Sequence, residues 1–104
     1  MKLTFAHGFT QTGRSWGPLV AALARKGHAL ADMLTVDLAG HGDAGAVHAG
    51  PWESATMLIG AGGKGTYVGY SMGGRIALHA VLAFPDMVER LVLIGATPGI
   101  VDGD

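Results

Sequence analysis

The chain has 104 residues, about half of them hydrophobic, which suits one small packed domain. Seven Lys and Arg against eight Asp and Glu leave a formal charge of -1, so no basic surface is available to neutralise nucleic-acid phosphates. The absence of cysteine excludes disulfides, thiolate metal sites and thiol nucleophiles.

In chain order, Lys2 to Ala6 is a short apolar run ending at His7-Gly8 and predicts a buried strand. It is too short and too soon interrupted for a signal peptide, and no run approaches membrane-spanning length, so a cytoplasmic protein without membrane association is expected. Trp16, Leu19, Val20 and Leu23 then recur at helical spacing, with Ser15 as the expected N-cap and Gly27 as the stop. Met33 to Leu38 predicts a second strand, followed by the glycine-rich "AGHGDAGA". Pro51 to Ala61 suits a short helix with proline near its first position. Thr66 to Tyr70 predicts a third strand, Met72 to Phe84 a helix ended by Pro85, and Arg90 to Ala96 a fourth, almost wholly apolar strand. Continuous apolar strands alternating with amphipathic helices imply an α/β fold with a mostly parallel sheet covered on both faces. No internal repeat and no interdomain linker is visible.

The 18 glycines cluster at the ends of apolar segments, where tight turns are needed. Gly69-Tyr70-Ser71-Met72-Gly73 lies at a predicted strand-to-helix junction and matches G-x-S-x-G. In that motif the glycines let the chain turn sharply and present the serine hydroxyl above the sheet, with the N-terminus of the next helix aimed at the same point. The plain alternative is a glycine-rich turn whose Ser71 merely caps the helix. An oxyanion hole needs two converging N–H donors, and Met72, after the serine, and Phe9, in the first loop, are the candidates. His7 is read as shaping that loop rather than as a base, and His41 as a loop residue. His28, His48 and His79 lack ligand spacing with acidic partners, so no metal and no cofactor is expected. Trp16, on an apolar helical face, is expected in the core, whereas Trp52 fits either core or pocket wall.

"HGF" after the first strand, "VDLAGHG" after the second, "GYSMGG" at the turn and "RLVLIGATPG" in the fourth strand together resemble the α/β-hydrolase superfamily over essentially the whole chain. Ala39 stands where that superfamily usually has proline, which loosens a turn. Within it, "HGFTQTGRSW" and "GYSMGGRIAL" look most like the 2-succinyl-6-hydroxy-2,4-cyclohexadiene-1-carboxylate synthases of menaquinone biosynthesis and related hydrolases. The resemblance implies a lyase whose triad removes a proton before pyruvate is eliminated, and it implies that Arg75, four residues after Ser71, binds substrate carboxylate. Position i+4 lies one helical turn below Ser71, and a guanidinium suits bidentate carboxylate binding.

The resemblance also implies a triad in the order serine, acid, histidine, the last two following later strands. Asp102 and Asp104 match a loop leading toward a lid rather than the triad acid. The chain is therefore expected to be the N-terminal portion of one domain of roughly 200 to 250 residues, without its lid and C-terminal part. The expected partner is a small-molecule carboxylate or ester. Carboxylic ester or C–C bond hydrolysis is the alternative activity, and a non-catalytic binding or assembly module that pairs through its bare sheet edge is the alternative of another class.

Overall fold

A computed structural model of the chain describes residues 2–8, 12–38 and 50–95. Four strands, β1 (Leu3–Ala6), β2 (Met33–Val36), β3 (Gly65–Tyr70) and β4 (Val88–Ile94), form one sheet in the order β2-β1-β3-β4. Every pairing is parallel, with Leu3 opposite Met33 and Thr66, and Gly69 opposite Ala6 and Leu93. Among the described residues three α-helices connect the strands: α1 (Gly17–Arg25), α2 (Pro51–Gly62) and α3 (Met72–Ala83).

Alternation along the strands sends side chains to two cores. On one face Leu3, Phe5 and Val68 pack with Trp16, Val20 and Leu23, with the Phe5 and Trp16 rings 5.1 Å apart. On the other face Ala6 and Tyr67 pack with Ala55, Leu58 and Ile59 of α2 and with Ile76, Ala77 and Ala80 of α3. The helix after β1 thus lies on one face, and the helix after β3 on the opposite one. Adjacent parallel strands whose connections leave in opposite directions open a crevice at their C-terminal ends, and that is where ligands bind in open α/β sheets.

Several expected boundaries shift. The first helix does not start at Ser15: a short 3-10 turn, Gly13–Trp16, comes first, and the Thr12 hydroxyl caps it by accepting the Arg14 N–H at 3.2 Å. Pro18 then opens α1, where a missing N–H costs nothing. The helix ends at Arg25 with Lys26 as its C-cap, and Gly27 follows with φ +99°. β2 stops at Val36, two residues before Leu38, and α2 runs one residue past Ala61 to Gly62. β3 begins one residue early at Gly65, α3 stops at Ala83, and β4 spans Val88–Ile94, so Ala96 lies outside the described residues. The expectation of a sheet covered on both faces holds only in part. Val20 and Leu23 of α1 pack onto the cluster of Leu3, Phe5 and Val68, but Arg90, Val92 and Ile94 with Leu19 and Leu23 line an open groove of about 340 Å³ beside it.

Candidate active site

The crevice between β1 and β3 is shaped by close backbone packing. β3 ends at Tyr70, and Ser71 turns the chain into α3 with φ +52° and ψ −109°. Among the described residues Ser71 is the only non-glycine at positive φ. Such a conformation costs about 1 to 3 kcal/mol and persists only where the surroundings impose it. Here they do. A Cβ on Gly73 would stand 2.1 Å from the Ala6 carbonyl oxygen, and one on Gly69 would stand 2.5 Å from Gly74 Cα. The first turn of α3 therefore lies against the end of β1 at a distance only glycine permits. The Ser71 N–H donates to the Ile94 carbonyl at 3.0 Å, which ties the turn to β4.

Ser71 is half-buried, and its side chain makes no capping hydrogen bond to α3. The hydroxyl is thus not consumed in the role that the plain alternative gave it. Met72 opens α3, so its N–H is among the first-turn donors without a partner inside the helix. Phe9, the other sequence candidate for an oxyanion donor, lies outside the described residues, as do His41, His48, Asp102 and Asp104. Arg75 follows one turn below Ser71. It is half-buried, and its Nε is buried without a hydrogen bond among the described residues. A guanidinium N–H in that state is short of an acceptor.

Two of the described histidines, His7 and His79, make backbone contacts. His7 is fully buried, receives the Leu38 N–H on Nε2 at 2.9 Å, and has Nδ1 2.8 Å from the Gly8 carbonyl oxygen. It joins the loop after β1 to the end of β2, in keeping with a loop-shaping residue. His79 places Nδ1 2.7 Å from the Arg75 carbonyl oxygen and its ring 4.5 Å from Trp52, edge to face. Trp16 is in the core, whereas Trp52 is 54% exposed. Sequence reasoning missed Asp37, whose Oδ1 accepts the Gly13 N–H at 2.7 Å. Its only signal was its place in "VDLAGHG", directly after a strand. Among the described residues no group of three His, Cys, Asp or Glu could hold a metal ion, and no helix is long and apolar enough to cross a membrane.

Residues 3–102 match the family described as alpha/beta hydrolase fold. The chain is 32% identical over 98 residues to a pimeloyl-[acyl-carrier protein] methyl ester esterase of Aliivibrio salmonicida, covering 92% of this chain and 36% of that protein. It is 32% identical over 107 residues to the 2-succinyl-6-hydroxy-2,4-cyclohexadiene-1-carboxylate synthase of Enterobacter sp. (strain 638), covering 96% and 39%. A crystal structure of an esterase, Rv0045c of Mycobacterium tuberculosis, superposes with a TM-score of 0.75 at 30% identity, covering 94% of this chain and 36% of that one. The chain thus spans little more than a third of the length of these relatives.

Proposed function

This chain belongs to the α/β-hydrolase fold family, and from that premise we propose that Ser71 is an enzymatic nucleophile, with the Phe9 and Met72 N–H groups as its oxyanion hole. The observation that carries the reading is the conformation of Ser71: a strained backbone at a strand-to-helix turn, with a hydroxyl that caps nothing. In acyl transfer the Ser71 hydroxyl attacks a carbonyl carbon, and the negative charge that develops on oxygen is met by the two N–H donors and the N-terminus of α3. A serine needs a base to give up its proton, and we assign the triad acid and histidine to sequence outside these 104 residues. The length of the relatives supports that assignment, since they extend well beyond the matched stretch. The 104 residues are then the N-terminal portion of one hydrolase domain, and the protein is cytoplasmic.

For the reaction we favour elimination of pyruvate in menaquinone biosynthesis, with Arg75 holding a substrate carboxylate. Its support is the 32% identity to the Enterobacter synthase together with the buried Arg75 Nε, which has no hydrogen-bond partner among the described residues and which a carboxylate would satisfy. Ester hydrolysis is the second reading, favoured by the equal identity to the methyl ester esterase. Both readings need Ser71, so the first test is a serine-directed fluorophosphonate with mass spectrometry of the labelled peptide. Label is expected on Ser71 in the wild-type protein and none in Ser71→Ala. A wild-type protein that takes up no label on Ser71 contradicts the proposal.

A further inference from the structure

Among the described residues β4 ends the sheet, with β3 on one side and no strand on the other. The phase of its backbone follows from one bond: the Ile94 carbonyl accepts the Ser71 N–H, so the backbone groups of Ile94 are turned toward β3. Successive strand residues direct those groups to alternate sides. Val92 is therefore turned toward β3 as well, and the N–H and C=O of Leu91 and Leu93 point to the open edge. Val92, Leu93 and Ile94 are 44%, 36% and 41% exposed, although their side chains alternate between the two faces of the sheet. Glu89 is an extra residue at the start of the strand, because Gly65 pairs with Val88 and Thr66 with Arg90. An apolar edge with outward backbone groups is a template for another strand.

We propose that this edge takes β4 of a second copy of the chain, antiparallel and centred on Val92, so that the two four-stranded sheets become continuous. The proposal is independent of the assignment of Ser71 as a nucleophile. Two copies joined in this way are related by a two-fold axis perpendicular to the sheet, so each residue meets only residues of its own face. A register centred on Arg90 sets the two guanidinium groups directly opposite each other. One centred on Leu91 leaves them diagonal, at about 7 to 8 Å, and sets Glu89 against an apolar Leu93. The register centred on Val92 avoids both faults. It pairs Val92 with Val92, Leu91 with Leu93 and Arg90 with Ile94 of the second copy, and it leaves Glu89 and the irregular start of β4 outside. Leu91 and Leu93 of each copy then exchange hydrogen bonds through the groups that point outward. On the face that carries the open groove, Val92 and Ile94 of both copies come side by side, which gives these exposed side chains apolar neighbours.

The test is the oligomeric state of the chain together with cross-linking. Sedimentation velocity at about 100 μM, where a dimer with a Kd on the order of 10 μM is mostly assembled, is expected to give twice the mass of one chain. Val92→Lys sets two ammonium groups opposite each other on the axis and is expected to return the mass to that of one chain with an unchanged circular dichroism spectrum. If Val92→Lys does not fold, Leu93→Pro is judged by the same criterion, since it removes an outward N–H and no bond to β3. The chain has no cysteine, so single substitutions read the register. Opposed Cα atoms at a non-hydrogen-bonded pair lie about 4.5 Å apart, within disulfide range, and Val92→Cys is expected to cross-link at least about tenfold faster than Arg90→Cys or Leu91→Cys. A single-chain mass for the wild type overturns the proposal, and so does a dimer that Val92→Lys leaves intact. Faster cross-linking at position 90 or 91 overturns the register and with it the pairing. Larger species also overturn it, because pairing at this edge closes at two copies. Amide exchange identifies another occupant: slow exchange at Leu91 and Leu93 in a single chain means that the chain covers its own edge, against the proposal.

Discussion

Ser71 holds a φ of +52° because its neighbours leave it no other course. Gly73 seats α3 against the Ala6 carbonyl, and the Ser71 N–H is fixed to Ile94, so relaxing the serine would lift the helix from the sheet. Under the proposed function Arg75, one turn below, is the residue expected to separate the two reactions. Arg75→Ala is expected to raise KM for a polycarboxylate substrate by about 10- to 100-fold, the worth of a charged hydrogen bond, and to leave turnover of a neutral ester within about twofold. Steady-state kinetics on both substrates checks this, and an unchanged KM would remove the lyase reading. Tyr67 offers a test of the core. It is 1% exposed, and burial pushes its hydroxyl above the ordinary 10.0, partly offset by the hydrogen bond from Thr4. A raised folded pKa means that the stability tied to the neutral phenol is complete below about pH 10 and is lost as pH rises through the folded value. Denaturant midpoints should therefore fall more steeply above pH 10 in wild type than in Tyr67→Phe. At neutral pH the variant should itself be weaker by about 1 kcal/mol, having lost the hydrogen bond to the Gly63 carbonyl. The sharp turn at Ser71 was legible in the sequence because the whole motif is local. The hydrogen bond from the Leu38 N–H to His7 was not, since the two residues stand 31 positions apart and only the β1–β2 register brings them together.

The elements show the same division between local and distant causes. α2, expected as a short helix, runs for 12 residues. Pro51 opens it, the Glu53 carboxylate accepts the Gly50 N–H at 3.1 Å, and Ala55, Leu58 and Ile59 are buried under it. The 3-10 turn before α1 was hidden, because its cap depends on Thr12 and on a carboxylate that arrives from β2. α3 depends on its glycines. Gly73→Ala would put a methyl group into the Ala6 carbonyl, so the helix must shift, and a loss of about 3 kcal/mol is expected in equilibrium denaturation. The same shift should abolish labelling of Ser71. Gly60→Ala, on the same kind of element with nothing within 4 Å of the added Cβ, should be neutral or slightly stabilising and serves as the control.

At the scale of the whole molecule, the candidate site lies where β1 and β3 meet and their helices part to opposite faces. That arrangement brings the first loop, the serine turn and the N-terminus of α3 to one end of the sheet. It also leaves Val92 and Ile94 more than 40% exposed, beside the open groove between α1 and β4. The sequence by itself determined the α/β class, the four strands, the three helices and the serine turn, because each is written in contiguous residues whose periodicity, caps and glycines act over a few positions. Only the tertiary structure decided the strand order, the uncovered part of the sheet and the hydrogen bonds of His7 and Asp37. Those depend on which distant segments share a face, and parallel pairing across long connections leaves no period in the chain to read.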